Sequence, residues 1–155
     1  MPSSTSTPLR TRVTAALLGL WCLALVAMTL RDESPSHTIS AVAQWVSALG
    51  LPLTFNQAEA IGNVGIFIPL GLLAQLLVQQ GRPRWTAAQR WRAALLVTLA
   101  GGAASLGIEL IQGWLLPGRV ASLQDVALNT LGTAIGAALG ATAAALLVRR
   151  RAGGR

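Results

Sequence analysis

The run Ala93-Ala-Leu-Leu-Val-Thr-Leu-Ala-Gly-Gly-Ala-Ala-Ser-Leu-Gly-Ile-Glu-Leu-Ile-Gln-Gly-Trp-Leu-Leu116 carries one charge, Glu109, in its second half. As a helix rising 1.5 Å per residue it is about 36 Å long, enough to cross a hydrocarbon core of about 30 Å. A charged side chain at membrane depth costs roughly 2.5–3.5 kcal/mol on insertion scales, which makes Glu109 a functional candidate by default. Working outward, Val13–Leu30, Ile61–Val78 and Val126–Val148 are equally apolar. The expectation is an all-α integral membrane bundle of four transmembrane helices.

Composition agrees. Of 155 residues, 53% are hydrophobic and 11% charged, against about a quarter charged in soluble domains. Mean hydropathy is +0.58. The formal net charge is +7, and every basic residue is arginine. These arginines sit in short groups beside apolar runs, a pattern of topology signals and not of a groove-reading patch, so nucleic acid is excluded as a partner. Arg10 and Arg12 precede the first run, Arg82, Arg84, Arg90 and Arg92 follow the second, and Arg149, Arg150, Arg151 and Arg155 follow the fourth. The intervening loops carry Arg31, Asp32, Glu33 and Glu59, or Arg119 and Asp125. The positive-inside rule then puts both termini and the middle loop in the cytoplasm.

The first run is read as a retained helix because no A-x-A cleavage site precedes Arg31-Asp-Glu33. Residues 1–12 are expected to be a disordered cytoplasmic tail, 13–148 one membrane domain, and 149–155 a basic cytoplasmic tail. Ile39, Val42, Trp45 and Leu49 recur at near-helical spacing, which predicts a short amphipathic helix in the first outer loop. Trp85, Trp91 and Trp114 are expected interface anchors, and Trp21 a packing residue. The lone Cys22 has no disulfide partner and reads as a small buried apolar residue.

Under this topology Asn63, Glu109, Gln112, Arg119, Asp125 and Asn129 share the outer part of the bundle and form the candidate ligand-binding set. Ser105, Glu109 and Gln112 lie on one face of the third helix, and Asp125, Asn129, Gly132 and Gly136 on one face of the fourth. Gly132-Thr-Ala-Ile-Gly136 is a small-xxx-small motif, expected to bring Asp125 and Asn129 close to the third helix. Pro69 and Gly71 are expected to interrupt the second helix. Each feature has a plainer reading: the asparagines as interhelical glue, Asp125 as a helix N-cap, Arg119 as a snorkelling cation. Glu109 is harder to dismiss, since nothing structural requires a carboxylate at that depth; its plainer reading is a Glu109–Arg119 pair.

Three segments carry a family likeness. Asn63-Val-Gly-Ile-Phe67-Ile-Pro69-Leu-Gly71 fits N-x-x-x-F-x-P-x-G. Ser105-Leu-Gly-Ile-Glu109-Leu-Ile-Gln112, followed by Gly118-Arg119, fits S-x-x-x-E-x-x-Q … G-R. Asp125-Val-Ala-Leu-Asn129-Thr-Leu-Gly132, with Gly136, fits D-x-x-x-N-x-x-G-x-x-x-G. From about Asn63 to Gly140 the chain resembles the VanZ-like family of small bacterial membrane proteins. The resemblance implies a multi-pass protein of the bacterial cytoplasmic membrane, within the cell envelope. The family's namesake is associated with low-level resistance to the glycopeptide teicoplanin, so glycopeptide susceptibility is one expected readout.

Two function classes follow. In the first, a non-enzymatic protein holds a lipid headgroup or an amphiphilic glycopeptide between Glu109, Arg119 and Asp125. In the second, a membrane enzyme acts on a lipid-linked cell-wall intermediate, with Glu109 as acid/base, Arg119 stabilising a phosphate and Asp125 orienting that phosphate or a metal. The only histidine, His37, lies in a loop, and neither a Ser–His pair nor metal-ligand spacing is evident. The binding class is therefore preferred, with no cofactor and no metal. Membrane lipids are the expected partners, and glycine stripes such as Gly136-Ala-Ala-Leu-Gly140 would also suit homo-oligomerisation.

Overall fold

The computed structural model describes residues 8–29, 44, 50, 53–115 and 122–153. The Ile39–Leu49 amphipathic segment (Gln44 apart), His37 and Arg119 lie outside the described residues. Four helices account for nearly all the rest: α1 Leu9–Thr29, α2 Phe55–Gln79, α3 Ala87–Leu115 and α4 Leu123–Gly153. All four are long and apolar enough to cross a membrane, and no strand occurs among the described residues.

Local signals set the helix starts, and they lie earlier than hydropathy suggests. The Thr54 hydroxyl accepts from the Gln57 N–H at 3.3 Å, while the Gln57 side chain accepts from the Thr54 N–H at 2.9 Å. This capping box begins α2 well before Ile61. Thr86 and Gln89 repeat it for α3, with bonds of 3.3 and 2.9 Å. Arg90 and Arg92 are consequently helical residues and not loop residues. Between the two helices the chain turns at Gly81, whose φ of +76° is the left-handed conformation glycine adopts without strain.

The tails are shorter than expected. Helix α1 already includes residues 9–12, and α4 continues through Gly153, since arginine is a good helix former and nothing before that glycine breaks the run. Pro69 does not interrupt α2, which is a single helix of 25 residues. Proline removes the bond to the Gly65 carbonyl. On that same turn the Trp21 indole N–H donates to the Ile66 carbonyl at 2.9 Å, tying α1 to α2.

Packing is inverted relative to a water-soluble domain. Gln75, Ser105 and Thr133 are the largest fully buried side chains, while Leu96 and Leu110 on α3 and Leu20 and Leu23 on α1 are exposed. In water such an apolar surface would be untenable; in lipid it is the solvent-matched face. Cys22 belongs to that exposed surface and is not buried.

The most extensive contact joins α2 and α4, and glycines make it. A Cβ at Gly132 would collide with the Val64 carbonyl, one at Gly136 with the Ile68 carbonyl, and one at Gly71 with the Thr133 carbonyl. The small-xxx-small motif therefore serves the α2 seam and not the α3 seam expected from sequence. Against α3, the fit is made by Gly101 and Gly102, which face Thr133 and Thr130. Helix α4 is thus the central element, held closely on both sides.

Candidate functional site

The start of α2, the end of α3 and the start of α4 meet at one end of the bundle. There Asn63 Nδ2 donates to Asp125 Oδ1 at 2.8 Å, linking α2 to α4. Asn129 Nδ2 donates to Ser105 Oγ at 2.9 Å, linking α4 to α3 one turn deeper. The backbone N–H of Ser122 donates to Glu109 Oε2 at 2.8 Å. Five sequence-selected residues from three helices are therefore drawn together. Gln112 is buried one turn beyond Glu109, so the Ser105–Glu109–Gln112 face points inward as its spacing predicts.

Ser122 explains how the cluster is built. Its hydroxyl accepts from the Asp125 N–H at 3.2 Å, which makes Ser122 the N-cap of α4. Asp125 lies in the first turn and is not itself the cap. The signal was present in Ser122-Leu-Gln-Asp125, an S-x-x-D start. Glu109 reaches across from α3 to that same cap, placing a carboxylate at the positive end of the α4 dipole. Its position at membrane depth thus has a structural partner that the sequence did not reveal.

Among the described residues, three buried amide oxygens lack a hydrogen-bond partner: Asn129 Oδ1 in this cluster, Gln75 Oε1 on α2 and Gln80 Oε1 at the α2 C-cap. Asn129 is 7% exposed, and its Oδ1 is buried without a hydrogen-bond partner. Such an orphan acceptor is costly in a low-dielectric setting. Asp125 remains only half-buried, at the rim of the cluster. Chemically the cluster is rich in acceptors: two carboxylates (Glu109, Asp125), the amide oxygens of Asn63, Gln112 and Asn129, and the hydroxyls of Ser105 and Ser122. No group of residues suited to holding a metal occurs among the described residues.

A second polar cluster, missed by sequence reasoning, occupies the opposite end. Gln75, Gln79 and Arg90 are all buried there. Arg90 Nη1 donates to Gln79 Oε1 at 2.9 Å and Nη2 to the Pro83 carbonyl at 3.4 Å. Gln79 Nε2 reaches the Gly140 carbonyl at 3.2 Å, and Gln75 Nε2 the Arg90 carbonyl at 3.0 Å. The i, i+4 glutamines within an apolar helix were the available signal.

This geometry defines a small multi-pass helical membrane protein with polar clusters at both ends of a glycine-packed α2–α4 core. The family model described as VanZ/LLP1 matches residues 10–145. The chain belongs to the VanZ/LLP1 family. The match takes in α1, and so extends well beyond the Asn63–Gly140 region in which the motifs lie. Neither the curated proteins nor the solved structures contain a match to this chain.

Proposed function

We propose that this is a bacterial envelope membrane protein whose acidic end faces outward and binds a donor-rich headgroup, that of a lipid or an amphiphilic glycopeptide. The supporting observation is the buried, unpartnered Asn129 Oδ1 within a cluster that also holds Glu109 and Asp125. Acceptors so arranged favour hydroxyl- or ammonium-bearing groups. The adjoining lipid-facing leucines would accept an acyl chain. The arginine-rich turn at the other end, read by the positive-inside rule, supports the outward assignment. Arg119 supplies the cation for any phosphate on the same ligand. By capturing amphiphiles before they reach the cell wall, the protein would lower susceptibility to a teicoplanin-like drug.

Glu109→Gln is the discriminating variant, because its amide oxygen still accepts the Ser122 N–H and keeps the cap. Native mass spectrometry of wild type, Glu109→Gln and Arg119→Ala should show a discrete bound mass in the first and its loss in the variants. Drug susceptibility at equal expression should change in parallel. Identical bound masses and identical susceptibility would refute the proposal. Glu109-dependent turnover of a lipid-linked cell-wall precursor would replace it with the enzymatic reading.

A further inference from the structure

At the arginine-rich end a groove of about 500 Å³ runs along the outer face of α3, bordered by the end of α2 and the turn that follows. Its polar end is lined by Arg82, Trp85, Gln89 and Arg92. Along α3 it becomes apolar through Leu96, Val97 and Ala100, with Val78 opposite on α2. From Gln89 to Ala100 the α3 wall is about 16 Å long at 1.5 Å per residue, changing from polar to apolar along one face. That gradient matches an amphiphile lying parallel to the helix.

The arginines divide by role. Arg90 is buried and spent on Gln79 and Pro83. Arg82 and Arg92 are exposed. Arg82 is already held in place, with Nη1 donating to the Val78 carbonyl at 2.7 Å and its guanidinium 4.6 Å from the Trp85 ring centroid. Arg92 has no hydrogen-bond or ion-pair partner among the described residues. Between Glu59 and Glu109 the sequence contains no acid at all, so no neighbouring carboxylate along that stretch competes for these cations.

The geometry points to an anionic phospholipid site: the phosphate sits between Arg82 and Arg92, Trp85 lies at the headgroup level, and an acyl chain follows Leu96, Val97 and Ala100. Charge complementarity selects the anionic class: Arg82 and Arg92 have no carboxylate partner among the described residues, and with this end cytoplasmic, as the positive-inside rule reads it, they meet the leaflet in which anionic lipids are read by basic residues. Planar guanidinium groups suit phosphate oxygens. This site is separate from the acidic end and shares with the function proposed above only the topology, not the ligand pocket.

The test uses full-length protein in nanodiscs or detergent, titrated with phosphatidylglycerol and phosphatidylcholine and read by native mass spectrometry. Wild type should retain phosphatidylglycerol preferentially. Arg82→Gln/Arg92→Gln should reduce that preference on the order of tenfold, with unchanged circular dichroism. Leu96→Trp, which fills the apolar part and leaves both arginines, should weaken retention of the same lipid. Equal retention of the two lipids by wild type would overturn the proposal, as would a double variant that keeps the preference. Displacement by inorganic phosphate at equimolar concentration would reduce the site to bare anion binding and also overturn it. Salt-reversible capture of an acidic peptide without lipid retention would do the same.

Discussion

Gly136→Ala should be among the most destabilising single-methyl additions in this chain. The new Cβ would overlap the Ile68 carbonyl and lie 2.7 Å from the Leu72 nitrogen, where ordinary contacts begin at 3.4 Å. Both obstacles are helix backbone, so no side chain can rotate away. The α2–α4 axes must separate by at least about 0.7 Å, and more at the carbonyl. Separation also loosens the Gly132 and Gly71 contacts on the same seam. Overpacking typically costs about 1–3 kcal/mol, and the backbone obstruction puts this case near the upper figure. Gly107→Ala is the matched control, because nothing lies within 4 Å of its Cβ. It should be neutral, or more stable by up to about 1 kcal/mol through helix propensity. Reversible unfolding in mixed micelles, followed by circular dichroism, measures both. Gly71→Ala presses on the Thr133 carbonyl from the other side, so combining it with Gly136→Ala should cost less than the two single effects together. Equal stability of Gly136→Ala and Gly107→Ala would refute the account of the seam.

The same unfolding assay checks three further expectations. Glu109→Gln should hold within about 1 kcal/mol of wild type, whereas Glu109→Leu should lose about 1–3 kcal/mol by orphaning the Ser122 N–H. A double-mutant cycle of Asn63→Ala and Asp125→Ala should return a coupling of about 0.6–1.7 kcal/mol, the range for hydrogen bonds between membrane helices; a value near zero would dissolve the α2–α4 bridge. Arg90→Met should cost about 1–3 kcal/mol because it leaves buried Gln79 Oε1 unpaired, while Arg92→Gln, lacking a partner among the described residues, should cost well under about 1 kcal/mol.

What the sequence made legible depended on the range of the physics involved. Span number and order followed from hydropathy alone, because a helix crossing lipid must satisfy its own backbone and needs a fixed length. The inward face of α3 followed from the Ser105, Glu109, Gln112 spacing. The partner of the α4 glycines did not follow, since Gly132 and Gly136 state that some backbone comes close without stating whose. Pro69 misled for a similar reason: a proline's cost to a membrane helix depends on packing that no local pattern names, and α2 runs through it as one helix of 25 residues. Arg90 was read as a topology charge because burial of a cation depends on distant acceptors, Gln79 and Pro83, and not on its own surroundings in sequence.

The structure also changes what the family motifs mean. Phe67, Gly71, Gly132 and Gly136 are accounted for by close approach of α2 and α4, and require no ligand to explain them. Asn63, Ser105, Glu109, Asp125 and Asn129 belong to the polar remainder, and each has a partner within the bundle. Alanine substitutions would therefore confound folding with function at every one of these positions. Isosteric changes separate the two. Asp125→Asn can still accept from Asn63, and Glu109→Gln can still accept from Ser122, yet each removes the charge that a donor-rich ligand would recognise. If these variants fold normally but lose amphiphile retention, the carboxylates serve a ligand as well as the α4 cap. If they fold normally and retain everything wild type does, the acidic end is a helix-fastening device, and the unpartnered Asn129 Oδ1 becomes a local cost of making it.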